Sequence, residues 1–299
     1  MMTPDRILVG VDFDDRGSLT DGSSNAIQHA LRLAVHVDAE VAFVHSTYRN
    51  AEDSAYPSEA ILKVGQSELA ALCAASDART SDLIVEDQRP APAMIQHAES
   101  GGHDLVVVAK RNHRRRDDRK LGSVSMRLLR TCPCPVWVIK PEQEMAHEAV
   151  AAATDLSVVG DMAIEYGVLM ANSEPCKLFA VHAWQVPLEL QMSHSRIGDE
   201  EFQQRTQEIV DQATRHIRAI ASFDEMGARG TILLANSTPS AAILELVQKK
   251  NPDLVVMGSV SRGGLPGFVV GNTAEKLLYQ LECSLLVIKP EDFVSPARG

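Results

Sequence analysis

The chain is expected to fold as two copies of a doubly wound α/β domain, each a five-stranded, mostly parallel sheet with helices on both faces. Three observations lead there. The chain matches itself: DLVVVA (104–109) recurs as DLVVMG (253–258), LGSVSMRLL (121–129) as VGNTAEKLL (270–278) and WVIKPE (137–142) as LVIKPE (286–291), each pair 149 positions apart. Within each copy, short β-branched runs alternate with helical segments, the pattern of parallel strands joined by right-handed crossovers. Finally, 299 residues exceed what one core usually serves, and a composition of 45% hydrophobic and 4% aromatic residues implies cores of Val, Ile, Leu and Ala.

The elements follow in order. In the first copy ILVGVD, EVAFVHS, TSDLIVE, DLVVVAK and PVWVIKP read as strands bounded by Gly, Pro, Asp or Ser. Helices fill the gaps: residues 24–37 place Ile27, Leu31, Ala34 and Val35 at helical spacing, and residues 199–220 place Phe202, Ile209, Ala213, Ile217 and Ile220 likewise. Early landmarks repeat at smaller offsets, 143 for Asp12 and Asp155 and 137 for FVH (43–45) and AVH (180–182), so loops have gained and lost residues. A (β/α)₈ barrel does not fit, because two copies of five strands do not make eight. The expected division is a domain at 1–141, a Glu-rich linker at 142–149 and a second domain at 150–299.

Several classes are excluded or disfavoured. No apolar run reaches the ~18 residues of a membrane helix, and MMTPDRILVGVD resembles no signal peptide, which points to the cytoplasm. The five cysteines suit reduced thiols, and Cys132-Pro-Cys134 lacks the spacing of a CxxC redox or zinc pair. A net charge of −11 argues against general nucleic-acid binding. Residues 1–141 hold 17 basic and 19 acidic side chains, and residues 142–299 hold 12 and 21. Seven cations crowd between Lys110 and Lys120, against only Asp117 and Asp118. That 110–120 loop is either a solvated face or a place to hold an anionic ligand or an acidic partner.

Ligands of open α/β sheets bind beyond the carboxyl ends of the strands. Asp12 and Asp155 end the first strand of each copy, and the loop after the fourth strand of the second copy, GSVSRGGLPGFVVGNTAEKLL (258–278), is rich in glycine. Gly258, Gly263 and Gly271 leave the backbone free to turn N–H groups inward, while Asn272 and Thr273 open a helix whose positive end suits a phosphate. Ser261 and the nearby cation Arg262 complete the candidate set with Asp155. Neither GxxxxGK[ST] nor GxGxxG occurs, so this is not one of the familiar phosphate loops.

These residues carry a resemblance. GNTAEKLL followed by LLVIKP, in a duplicated chain, resembles the tandem universal stress proteins, especially the E-type members with two such domains. The resemblance implies an adenine nucleotide alpha hydrolase-like fold and a stress-response role. Nucleotide-binding members of the family have Gly-x2-Gly-x9-Gly-[Ser/Thr] after the fourth strand and an Asp facing the nucleoside. Here the matching positions are Gly258, Ser261, Gly271 and Asn272 in the second copy, and Ala109, Asn112, Gly122 and Ser123 in the first. The second copy therefore keeps more of the pattern, and ATP or another phosphorylated ligand is expected there if anywhere.

Other matched positions have plainer readings. His45 and His182 end equivalent strands and suit hydrogen-bonded structural roles. Cys134 and Cys283 repeat at the same 149-residue offset and suit small buried thiols. No catalytic constellation or metal-ligand cluster stands out, so no catalytic or metal residue is assigned. Two apolar last strands, VWVIKP (136–141) and LLVIKP (285–290), would invite aggregation if left bare. Universal stress domains pair through their fifth strands, so the resemblance implies an intrachain pseudo-dimer through these strands, with a homodimer possible through other faces. The protein is read as a non-catalytic ligand-binding or interaction protein. The alternative is an ATP-binding switch or weak ATPase working through the second copy.

Overall fold

The computed structural model describes residues 3–48, 59–110, 122–140, 146–259, 277, 280–290 and 293. The first copy runs β1 (Arg6–Val11), α1 (Asp21–Val37), β2 (Glu40–Ser46), α2 (Glu59–Ala74), β3 (Arg79–Glu86), α3 (Pro90–Ser100), β4 (Leu105–Ala109), α4 (Ser123–Thr131) and β5 (Val136–Ile139). The second runs β6 (Ala149–Thr154), α5 (Val158–Ser173), β7 (Lys177–Trp184), α6 (Leu188–Ala219), the single turn α7 (Ala221–Asp224), β8 (Gly230–Asn236), α8 (Pro239–Lys250), β9 (Leu254–Gly258) and β10 (Ser284–Ile288).

Both copies share one sheet of ten strands in the order β3-β2-β1-β4-β5-β10-β9-β6-β7-β8. The order is a mirror: outward from the centre each half reads last, fourth, first, second and third strand. Neighbours within each half are parallel. The centre differs, because β5 and β10 pair antiparallel with Leu286 opposite Trp137, Leu285 opposite Val138 and Val287 opposite Val136.

The pleat sorts the apolar residues into two layers. On one face Ile7, Val9, Trp137, Ile139, Leu286 and Ile288 meet α1 and α5. On the other, Leu8, Val106, Val136, Val138, Leu285 and Val287 meet α3, α4 and α8. Each layer crosses the central β5–β10 pair without a break, so the two halves share both cores. Burial on both faces explains why the strands read as continuous apolar runs.

Two helices differ from their sequence reading. On α1, Val35 is 49% exposed, and the core positions are Ala26, Ile27, Ala30, Leu31, Leu33 and Ala34. α6 begins at Leu188, well before residue 199, but is broken at Gly198 (φ 80°, ψ 167°). The sequence segment thus matches the helix beyond the break, on which Ala213 and Ile217 are buried.

The drift in repeat offset has a structural location. Thr20 caps α1 eight residues after Asp12, whereas Ser157 caps α5 only two residues after Asp155. That six-residue difference is the step from an offset of 143 to one of 137. In the first copy the extra loop folds back over the end of β1, with a Phe13–Leu19 bridge and the Phe13 ring 4.7 Å from the His45 ring.

Candidate functional site

In each half the chain turns to opposite sides after two adjacent parallel strands, β1 and β4 in the first copy and β6 and β9 in the second. A crevice opens at such a switch point, beyond the strands' carboxyl ends. In the second copy those ends are Thr154-Asp155 and Gly258-Ser259, one strand apart, since Ala153 lies opposite Met257. Two of the expected site residues, Asp155 and Gly258, are thus brought together by the sheet. Ser261, Arg262, Gly263, Gly271, Asn272 and Thr273 lie outside the described residues.

The turn from β6 to α5 is tightly built. Leu156 takes φ 60°, a left-handed conformation, and its N–H donates to Thr154 Oγ1 at 2.9 Å. The Asp155 carboxylate accepts from the Ser157 backbone N–H at 3.1 Å and from the Ser157 hydroxyl. The same hydroxyl accepts from the Gly160 N–H at 3.2 Å, closing the first turn of α5. Gly160 is needed there, for a Cβ would stand 2.5 Å from Thr154 Oγ1 and 2.9 Å from the Asp155 nitrogen. Asp155 is thus a turn residue, its carboxylate held by Ser157 in the connection from β6 to α5.

The matched histidines brace the strand ends. His45 Nδ1 lies 2.9 Å from the Val11 carbonyl, and His182 Nδ1 lies 2.9 Å from the Thr154 carbonyl. In each half this ties the second strand to the first at the lip of the crevice. The fourth strands leave the sheet at equivalent points, Lys110 N–H donating to the Ile139 carbonyl at 2.7 Å and Ser259 N–H to the Ile288 carbonyl at 2.9 Å. Of the basic cluster at 110–120, only Lys110 is described.

A feature with no local sequence signal lies at the seam between the copies. Glu174, buried at the end of α5, accepts from the His147 backbone N–H at 2.7 Å. It also sits 2.9 Å from His147 Nδ1 and 3.2 Å from Arg32 Nε on α1. Burial raises the Glu174 carboxyl, but hydrogen bonds from the His147 side chain and backbone, and the charges of His147 and Arg32, outweigh it and hold the group below its ordinary value. His147 in turn packs 5.4 Å from the His29 ring, itself 5.7 Å from Trp137. Residues 147–149, expected in the linker, are packed: Glu148 and Ala149 donate their N–H groups to Asp253 at 2.7 and 3.1 Å.

A separate groove of about 610 Å³ lies in the bend of α6, lined by Pro187, Leu190, Ser193, Arg205 and Ile209 among others. Its first lining residue, Pro187, lies three positions beyond the end of β7. Among the described residues no His, Cys, Asp and Glu group could hold a metal ion, and no helix is long and apolar enough to cross a membrane.

Comparison with known proteins agrees with this geometry. The model of the universal stress protein family matches twice, over residues 4–140 and 147–289. Universal stress protein E of Escherichia coli K12 is 28% identical over 226 residues, covering 71% of this chain and 69% of the relative. That of Photorhabdus laumondii is 26% identical over 231 residues, 72% of this chain and 71% of the relative. A functionally unknown protein of Pseudomonas aeruginosa PAO1 superposes with a TM-score of 0.71 at 21% identity, covering 97% and 94% of the two chains. A universal stress protein of Archaeoglobus fulgidus gives 0.61 at 19% identity, covering 95% and 98%. With both halves matched by the family model, the chain belongs to the universal stress protein family and carries two universal-stress units in tandem.

Proposed function

We propose that this protein acts in the stress response by binding a ligand or partner without turnover. Its small-molecule site would be the second copy's crevice. The observation that carries the assignment is the asymmetry at the two switch points. In the second copy β6 passes into α5 through the three residues 155–157, Asp155 and Gly258 sit at neighbouring strand ends, and a glycine-rich loop follows. In the first copy the corresponding strand end is Ala109, and the loop bearing Phe13 folds over the end of β1. Backbone can approach a phosphate closely only where no Cβ intervenes.

The proposed ligand is ATP or another phosphorylated molecule, held by Asp155, Gly258, Ser261, Arg262, Gly263, Gly271, Asn272 and Thr273 with about 4–8 kcal/mol of binding free energy. Domains at 1–141 and 150–299 would act as an intrachain pseudo-dimer, a reading supported by the β5–β10 pairing. The 110–120 loop would supply an anion- or partner-binding face. Action in the cytoplasm is part of this reading, since an odd count of five cysteines suits a reducing compartment.

Calorimetric titration of the full chain with ATP tests the site. Wild type and Asp12→Ala should bind alike, whereas Arg262→Ala and Asp155→Ala should weaken binding. Loss through Asp12→Ala alone would move the site to the first copy, and silence from the wild type would leave the interaction role without a nucleotide. Release of inorganic phosphate during the titration would favour the ATP-driven switch over a passive binder.

A further inference from the structure

Cys132 and Cys134 do not have the spacing of a CxxC pair, yet their sulfurs lie 3.6 Å apart in a hydrogen-bonded S–H···S contact between the end of α4 and the start of β5. A disulfide accommodates Cα separations of about 4.4–6.8 Å, a range that residues two apart reach when the chain between them is less than fully extended. The second copy supplies a neighbour. Lys289, just past β10, is 2% exposed and donates to the Leu129 carbonyl at the end of α4. Its ammonium also lies 4.6 Å from the centre of the Phe293 ring. Capping α4 explains where this cation points, but not its burial without a carboxylate. Among the described groups, those whose ionised forms would favour its protonated state are the two cysteine thiols.

We propose that Cys132, Cys134 and Lys289 form a redox site in which a small hydroperoxide converts the two thiols to an intramolecular disulfide. The Cys132 thiol is lowered by the hydrogen bond from Cys134 and by Lys289, against burial and the charge of Glu99. The Cys134 thiol is raised by its hydrogen bond with Cys132, by burial and by the charges of Cys132 and Asp104. The thiolate form is thus favoured at Cys132 over Cys134. Burial lowers Lys289 to about 8, so near neutrality it still carries its proton.

The electrons and atoms balance. The Cys132 thiolate attacks one peroxide oxygen and the O–O bond breaks. The departing oxygen takes the proton of Lys289 and leaves as water or alcohol, giving a sulfenic acid. Cys134 then attacks the sulfenic sulfur, and its proton and the hydroxyl leave as water. The dithiol loses two electrons, the peroxide gains them, and Lys289 ends as a neutral amine. No buried charge is left stranded. Entry is from the side of Cys134, which is 9% exposed while Cys132 is sealed.

The test uses the reduced full chain, hydrogen peroxide, alkylation of the remaining thiols and peptide mass spectrometry. Cys132 and Cys134 should lose their alkylation sites together, with loss of two hydrogens that dithiothreitol restores, while Cys73, Cys176 and Cys283 stay alkylated. In Cys134→Ser, oxidation should stop at a Cys132 sulfenic acid that dimedone traps. Lys289→Met should slow oxidation about tenfold, because it removes both the charge that favours the Cys132 thiolate and the proton the departing oxygen takes. Three results would overturn the proposal: both sulfurs remaining alkylatable in excess peroxide, Cys73 oxidising first, or a folded Lys289→Met reacting at the wild-type rate. The wild-type measurement decides even if that variant fails to fold.

Discussion

Removing the Glu174 carboxylate should loosen the junction of the two copies more than removing its partner Arg32. Three contributions set the size. Glu174→Ala leaves the buried His147 N–H, now bonded at 2.7 Å, without an acceptor, a cost of about 1–3 kcal/mol. It deletes one buried methylene, worth about 0.8 kcal/mol. It also breaks the contact with Arg32, whose side chain is 45% exposed, so that part is worth at most about 1 kcal/mol. The expected loss is about 2–5 kcal/mol for Glu174→Ala and below about 1 kcal/mol for Arg32→Ala. Glu174→Gln keeps an acceptor and should fall between them.

Acid gives an independent reading of the same contact. Because the folded state holds Glu174 below its ordinary value of 4.5, the charged form contributes stability that is fully present above that value. It is lost as pH falls through the lower folded value. The gap between wild type and Glu174→Gln should therefore be constant near neutrality and close in the acid range. Urea unfolding followed by tryptophan fluorescence, from about pH 3 to about pH 7, measures both quantities. An Arg32→Ala loss as large as that of Glu174→Ala, or a Glu174→Gln gap indifferent to acid, would refute the reasoning.

Other outcomes follow from single residues. Trp137→Ala, at the centre of the shared layer and 1% exposed, should cost about 3–5 kcal/mol, and calorimetry should show one transition for both halves because neither core is separate. Gly160→Ala should cost about 1–3 kcal/mol in denaturant titration, since its Cβ would meet Thr154 and the Asp155 backbone, and should displace the turn that presents Asp155. Gly198→Ala should cost about 1–2 kcal/mol although nothing lies within 4 Å of the new methyl, the penalty being the φ of 80° alone; equal stability would mean that the break in α6 is not fixed there.

The architecture was readable because a duplicated chain repeats its apolar runs, and a constant offset from the fourth strand onward fixes equivalent positions. The break in α6 was not, since residues 188–198 carry too little apolar periodicity to declare a helix. Val35 was misplaced because four residues per two turns satisfy the spacing rule on either side of a narrow stripe. At the site, Asp155 and Gly258 were recognisable from strand-end position, whereas the ties of Ser157 and Gly160 depend on a loop length that only comparison of the two turns reveals. The Glu174 cluster joins α1, α5 and the connector, segments with no shared local pattern. Lys140 and Lys289 look alike in their VIKPE contexts, yet the first is half-buried and the second is sealed.

Covalent linkage changes what the central strand pair is permitted to be. In a two-fold dimer of identical chains, the residue on the axis meets its own copy, so any substitution there is made twice. Position 137 and its repeat counterpart 286 occupy such a place, and the chain sets Trp137 against Leu286. A large ring against a small side chain is a solution open only to partners that can mutate separately. The same independence lets one crevice keep its glycines while the other loses them, with no loss of the pairing that holds both. Joining also replaces a concentration-dependent encounter with an intramolecular one, so the pair should persist at dilutions where separate units would part.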